Sequence, residues 1–281
     1  METTYEISLL VKAAWSAAIV LGLTFVVERV DTRIAGLLSG APLTAVLVYF
    51  FVGRDLGTEY VVESIPHSIS SFTGTICFVL TYYWVSARLE RFSVWGGLGL
   101  GVVVYFLVAA LLHKIPFTMT SATVLSLSAI TLSSRLLRKI RIVRVARPIR
   151  LTATQLLLRG GLAALLISIV ISLAETVGSH WTGLLVGFPA TLLPTYLIIH
   201  LTYGKASTHA MVRNFPTGVA SLIIYIWLVP FTFPALGVYG GTAACLAASL
   251  VYLSCIMFLG RIRLGPASRS APPPSAPLDP S

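Results

Sequence analysis

Apolar residues in this chain come in blocks about as long as a bilayer is thick, divided by short polar or Gly- and Pro-bearing breaks. A hydrocarbon core about 30 Å thick takes about 20 residues at a rise of about 1.5 Å each. On that measure blocks fall near 7–27, 34–53, 61–87, 93–112, 117–135, 154–174, 181–203, 210–230 and 235–259. The pattern predicts an all-α fold, a polytopic membrane helix bundle of about nine spans. The count is tested hardest at 61–87, which carries Glu63 and His67, and at the short break "HKIP" between the fourth and fifth blocks.

Composition agrees with lipid as the main solvent. The chain of 281 residues is 56% hydrophobic and 11% charged, with a mean hydropathy of +0.89, where soluble domains carry about a quarter charged residues. Lys and Arg concentrate on the cytoplasmic side of membrane proteins. With nine spans, one face receives only Lys12, Arg54 and Lys114, and the other receives the remaining seventeen basic residues. This split predicts a multi-pass inner (plasma) membrane protein with its N-terminus outside and its C-terminus cytoplasmic. The net charge of +10 raises the question of nucleic acid, but seven basic residues lie in one run beside a span, Arg135 to Arg150. Such a run fixes topology and meets anionic lipid headgroups; no nucleic-acid partner is expected. Cys77, Cys245 and Cys255 lie in apolar stretches without a CxxC or a ligand-spaced His, so they read as small buried hydrophobes. Glu2 and Glu6 replace the positive start of a signal peptide, which predicts that the first block is a retained span. The Pro/Ser-rich tail is expected to be disordered.

A phrase then repeats. "GLLSGAPLT", Gly36 to Thr44, returns as "GLLVGFPAT", Gly183 to Thr191, at an offset of 147 with six of nine positions identical. At the same offset Glu28 matches Glu175, Tyr49 matches Tyr196 and Gly57 matches Gly204; at 144, Thr73-Gly74 matches Thr217-Gly218 and "VWGG" matches "VYGG". Self-similarity at one long period marks internal duplication. It divides the chain into a first four-span repeat (1–112), a bridging span with a basic cytoplasmic linker (113–153), a second four-span repeat (154–260) and the tail (261–281). Because one span separates the copies, the second begins on the opposite side of the membrane. Two inverted four-span repeats joined by one extra span are therefore expected, an architecture shared by many transporters.

The inversion gives the phrase a depth. Pro42 and Pro189 each lie about eight residues into a span, about 12 Å deep, and approach the midplane from opposite faces. A proline inside a helix removes a backbone hydrogen bond, and in lipid the freed carbonyls need partners from buried protein or a cavity. Paired interruptions in corresponding positions point to a substrate site. The candidate binding set is Gly40, Pro42 and Thr44 with Gly187, Pro189 and Thr191. The glycines also form GxxxG pairs, a spacing that serves close helix packing without any ligand.

The unit "GLLxGxPxT", with Glu28 or Glu175 eight residues upstream and Tyr49 or Tyr196 downstream, resembles the GlpM-like family of small bacterial inner-membrane proteins. The resemblance covers about 210 residues in two pieces. It implies that each copy corresponds to one complete four-span family unit, and that the fused pair fixes an antiparallel arrangement in one chain. The extra span, the basic linker and the Pro-rich tail depart from the family pattern.

Ionisable residues within spans are costly and tend to be functional. Glu28 and Glu175 sit symmetrically at span ends, as solvated boundary residues or as binding groups. Glu63 and His67 are one helical turn apart, placed to relay a proton, meet a cation or form an interfacial pair. His200, His209, Arg213 and Asn214 gather near one end of two spans, where an anion or a lipid phosphate would dock. Sequence signatures of metalloproteases, P-loops and α/β-hydrolases are absent. No enzyme, cofactor or metal is expected. The sequence reads best as a transporter or permease of a small molecule or ion. The rival reading is a non-transporting scaffold, assembly factor or subunit with membrane-protein partners; lipid modification ranks lowest.

Overall fold

The computed structural model of the protein describes residues 42–138, 140 and 152–263. The first predicted span, Glu28, Gly40 with most of the first phrase, most of the basic run and the Pro-rich tail lie outside the described residues. The described chain forms seven helices and no strand: α1 (Leu43–Asp55), α2 (Thr58–Arg88), α3 (Ser93–His113), α4 (Met119–Leu137), α5 (Ala153–Val186), α6 (Leu192–Tyr203) and α7 (Lys205–Arg263).

Local chemistry sets many of the ends. At α4 the Thr118 and Ser121 side chains cap each other's backbone N–H, at 3.2 and 3.0 Å, and Thr152 and Gln155 do the same for α5. Single glycines turn α1 into α2 and α6 into α7: Gly57 has φ 95°, ψ 161° and Gly204 has φ 79°, ψ 167°. This region is essentially glycine-only, and the two positions are 147 residues apart. Two further turns of this kind, at Gly178 and Gly237, bend α5 and α7.

The predicted blocks and the helices differ most at 181–203. The sequence offers one continuous span there, whereas α5 runs on through the bend at Gly178 to Val186, the chain unwinds over 187–191, and α6 begins at Leu192. The helix breaks where the second Gly/Pro phrase stands.

Among the described residues two helical stretches are long and apolar enough to cross a membrane, Ser93–His113 with mean hydropathy 2.2 and Gly218–Ile256 with mean hydropathy 2.0. Gly160–Ala174 and Leu192–Tyr203 are apolar but shorter. The outward faces carry large apolar side chains, among them Val103, Leu107 and Leu111 of α3 and Phe231, Val251 and Phe258 of α7. Large apolar side chains exposed in such number call for a non-aqueous neighbour.

Helix α2 is the axis of the described bundle and packs against α1, α3, α4, α5 and α7. Its Phe78 and Tyr82 rings lie over Gly101 and Gly97 of α3. Its own Tyr82 and, around it, Tyr49, Tyr105, Tyr196 and Tyr225 are fully buried. One expectation is corrected here: of the three cysteines only Cys245 is buried, Cys77 is half-buried and Cys255 faces outward, because an apolar block has an outer face as well as an inner one.

Candidate functional site

One face of α2 is polar over most of its length. Tyr60, Ser64, the pair His67 and Ser68, Ser71 and Thr75 recur every three to four residues, the spacing of one helix face; buried Phe78 and Val79 interrupt it, and Tyr82 and Ser86 resume it. From Ser64 onward these polar residues are all buried. Burying hydroxyls among apolar side chains is tolerable because most bond within their own helix. Ser64 donates to the Val61 carbonyl at 2.7 Å, Ser68 to Ser64 at 3.1 Å and Ser71 to Ser68 at 2.6 Å. Tyr49 of α1 reaches the same face, hydrogen-bonding to Ser68 and accepting from Ser64 at 3.3 Å.

Against this face lies the second half of α5. A Cβ on Gly183 would run into the Ser64 carbonyl and come within 2.9 Å of His67 Cβ; one on Gly187 would overlap Ser71 Oγ and lie 2.7 Å from its Cβ. The second phrase's GxxxG is thus a seat in which α2 rests on bare backbone, as small-residue interfaces do.

Around the break, carbonyls released from the helix find new donors. Pro189 has no N–H to give, so the Leu185 carbonyl takes the Phe188 N–H at 3.0 Å instead. That leaves the Leu184 carbonyl, which accepts the Tyr105 hydroxyl of α3. The Gly187 carbonyl accepts Thr75 Oγ1–H of α2 at 2.6 Å, and the Thr191 carbonyl accepts Thr195 Oγ1–H at 2.6 Å. At the Gly178 bend the Ala174 carbonyl is likewise met by Tyr60 Oη–H at 2.8 Å and Thr182 Oγ1–H at 3.2 Å. These carbonyls each find a hydroxyl or amide donor, as a dry interior demands.

Both phrases start a short helix in the same way. The Pro42 carbonyl accepts the Val46 N–H at 2.8 Å, and the Pro189 carbonyl accepts the Leu193 N–H at 2.9 Å. The helices that follow have 13 and 12 residues. Their first turns meet at a cavity of about 30 Å³, lined by Thr44 of α1, Phe72 and Thr75 of α2, Gly187, Pro189 and Thr191 of the break, and Phe215 of α7. That volume holds about two waters. Four of the predicted binding residues, Thr44, Gly187, Pro189 and Thr191, therefore share one cavity. Pro42 is buried at the start of α1, and Gly40 lies outside the described residues.

The other candidates fare differently. Glu63 and His67 are not brought together: Glu63 is exposed, while His67 is 3% exposed and turned inward. Their one-turn spacing is real, but the helix face divides between them. His67 instead stacks on His180 of α5, ring centroids 4.1 Å apart. Glu175 lies on α5 just before the Gly178 bend; Glu28 lies outside the described residues. His200 and His209 share one polar corner. Tyr82 Oη lies 2.6 Å from His200 Nδ1, Ser93 Oγ 3.0 Å from His200 Nε2, and Ser86 Oγ 2.8 Å from His209 Nε2. Arg213 leaves that corner, donating to the Ile140 carbonyl at 2.6 Å, and Asn214 bonds back to Ala210 at 3.2 Å. An anion-binding group of four is not assembled there.

Sequence reasoning missed Ser71, Thr75, Tyr82, Tyr105, His113 and His180. The signal for those on α2 was available in the three-to-four spacing of its hydroxyls; Tyr105, His113 and His180 carry no local signal. Among the described residues no group of three His, Cys, Asp or Glu is arranged to hold a metal ion. No protein-family model, curated protein or solved structure matches this chain.

Proposed function

We propose that the chain is an inverted-repeat membrane transporter or permease for a small molecule or ion, with its site at the broken helix between α5 and α6. The observation that carries this reading is the cavity in which residues of both Gly/Pro phrases meet beside an unwound segment. Irregular backbone at membrane depth is tolerated where it is buried in protein or lines a cavity, and discontinuous helices are the usual substrate sites of inverted-repeat transporters. The near-equal lengths of α1 and α6, the matching proline–amide bonds at their starts and the twin turns at Gly57 and Gly204 support two repeats of one design. On this reading each half is a GlpM-like unit, the chain makes about nine crossings in an inner membrane, and its basic run rests on anionic headgroups.

The lining supports a substrate class. Among the described residues it offers the hydroxyls of Thr44, Thr75 and Thr191 and no acidic side chain, and the positive ends of two helix dipoles open onto it. A small uncharged, weakly polar or anionic solute suits that lining better than a metal cation. A cavity that holds about two waters corresponds to a closed state of the site, with Gly183 and Gly187 seated on α2.

Water access tests the proposal without a known substrate. Single cysteines at Thr44 and Thr191, in a chain freed of Cys77, Cys245 and Cys255, are exposed to a small membrane-impermeant thiol reagent from each side. Labelling of both positions supports transport, and labelling from both sides supports alternating access or a pore. Complete protection in folded protein overturns the reading in favour of a packing scaffold.

A further inference from the structure

The five histidines divide between the two ends of the α2 polar face. His200 and His209 have hydroxyl partners on their rings. The other three, His67 of α2, His113 at the end of α3 and His180 of α5, gather near the start of α2 and are left without them. His67 and His180 stack with centroids 4.1 Å apart and planes 20° apart; His113 lies 6.5 and 6.2 Å from them. His113 in turn lies nearly flat on Trp181, 4.8 Å away at 26°, and Phe117 closes the cluster edge-on to His67 at 6.0 Å. Neither ring nitrogen of His67, nor Nδ1 of His113, has a hydrogen-bond partner. Buried polar nitrogens are almost always satisfied, so three orphans in one cluster point to something that binds there.

We infer that the His67–His113–His180 cluster is a proton-binding site built into the α2–α5 seam. Imidazole lone pairs lie in the ring plane, so two stacked, nearly parallel rings send theirs side by side and cannot aim them at one metal ion. A proton needs only one lone pair: it adds to a ring nitrogen, makes an imidazolium, and is exchanged with the neighbouring ring or with water at that end of the bundle. Other groups near the cluster leave room for this charge. Tyr60 on α2 is engaged with Ala174, Glu63 one turn away and Lys114 beyond His113 are exposed, and the Ile115 backbone faces His67 short of hydrogen-bond geometry. A second proton on the stack would set like charges about 4 Å apart across the seam, where they repel.

The consequence lies in the same turn of helix. His67 Cβ is one of the atoms against which Gly183 is seated, so the charge on the stack acts on the seat that holds the broken helix beside its cavity. This step rests on the transport reading above: if the cavity carries solute, protons are the coupling ion.

Trp181 reports on the cluster, because an imidazolium quenches an indole it lies against. The full chain in lipid nanodiscs is titrated over about pH 4–8, the range in which free and buried imidazoles change charge, and the Trp181→Phe signal is subtracted. We expect one step assignable to Trp181, abolished or moved by about one pH unit or more in His67→Gln and in His180→Gln. No step in the wild-type chain, or an unchanged step in both variants, overturns the site. So does the same emission change produced at fixed pH by low Zn²⁺, which would make the cluster a metal site. Should a variant fail to fold, ring ¹⁵N shifts of the histidine-labelled wild-type chain decide: linked titration of three of the five rings supports the site, and independent titration or none overturns it. These readouts need no transport. A Trp181 step with a cavity closed to thiol reagents would keep the site and discard the transporter, and the reverse result would do the opposite.

Discussion

Thr75 and Gly187, 112 residues apart, are joined by one hydrogen bond of 2.6 Å that closes the backbone of a broken helix. The hydroxyl comes from the middle of the central helix and the carbonyl from the first unwound residue after α5. The bond links the polar face of α2 to the cavity, and its loss should be measurable. Thr75→Val keeps the shape and removes the donor, leaving a buried carbonyl unpaired at a cost of about 1–3 kcal/mol. Thr75→Ser should recover most of that loss. Thermal unfolding of the three proteins in the same nanodiscs checks the order.

Gly187 is set against Ser71 so closely that any side chain there must displace α2. Gly187→Ala is expected to destabilise by overpacking, about 1–3 kcal/mol or more. Adding Ser71→Ala removes the nearest atom, Oγ, but leaves Cβ at 2.7 Å from the new methyl, so the double variant should regain part of the loss. Gly161→Ala, at a helical position with open space around it, serves as the neutral control. Folded yield and melting temperature read all three. Full additivity of Gly187→Ala and Ser71→Ala would sink the claim that they touch.

Gly57 and Gly204 have open space around them and unusual backbone angles. Alanine at either meets no clash, so the penalty is conformational, about 1–3 kcal/mol. If the two turns are copies of one design, the penalties should agree closely. A large difference between Gly57→Ala and Gly204→Ala, measured by denaturant or thermal melts, would count against equivalence.

The segregation of Lys and Arg predicts topology directly. Reporter domains fused after Arg54 and after Lys114 should read as external, and those fused within 138–147 as cytoplasmic. A reversal at any of the three would break the nine-span arrangement, and the inverted relation of the two halves with it.

Much of the local structure was legible in the chain itself. Helical content and the weakness of the helix at the second Gly/Pro phrase follow from the run of apolar residues and from what glycine and proline do to a backbone. These are properties of neighbours in sequence, and they act before any helix meets another. The repeat also pointed to Thr44, Pro189 and Thr191, which line one cavity. The partners of those residues were not legible. Nothing near Gly187 says that Thr75 will meet its carbonyl, or that Tyr105 will meet that of Leu184. The same limit separated Glu63 from His67: one-turn spacing places two residues near one face, but only the position of α5 decided that His67 turns inward onto His180 while Glu63 stays outside. Arg213 leaves its neighbouring histidines for the Ile140 carbonyl for the same reason. Periodicity determines which side of a helix is polar. Which atoms that side meets depends on how closely two helices can approach, and here the bare backbone at Gly183 and Gly187 sets that distance.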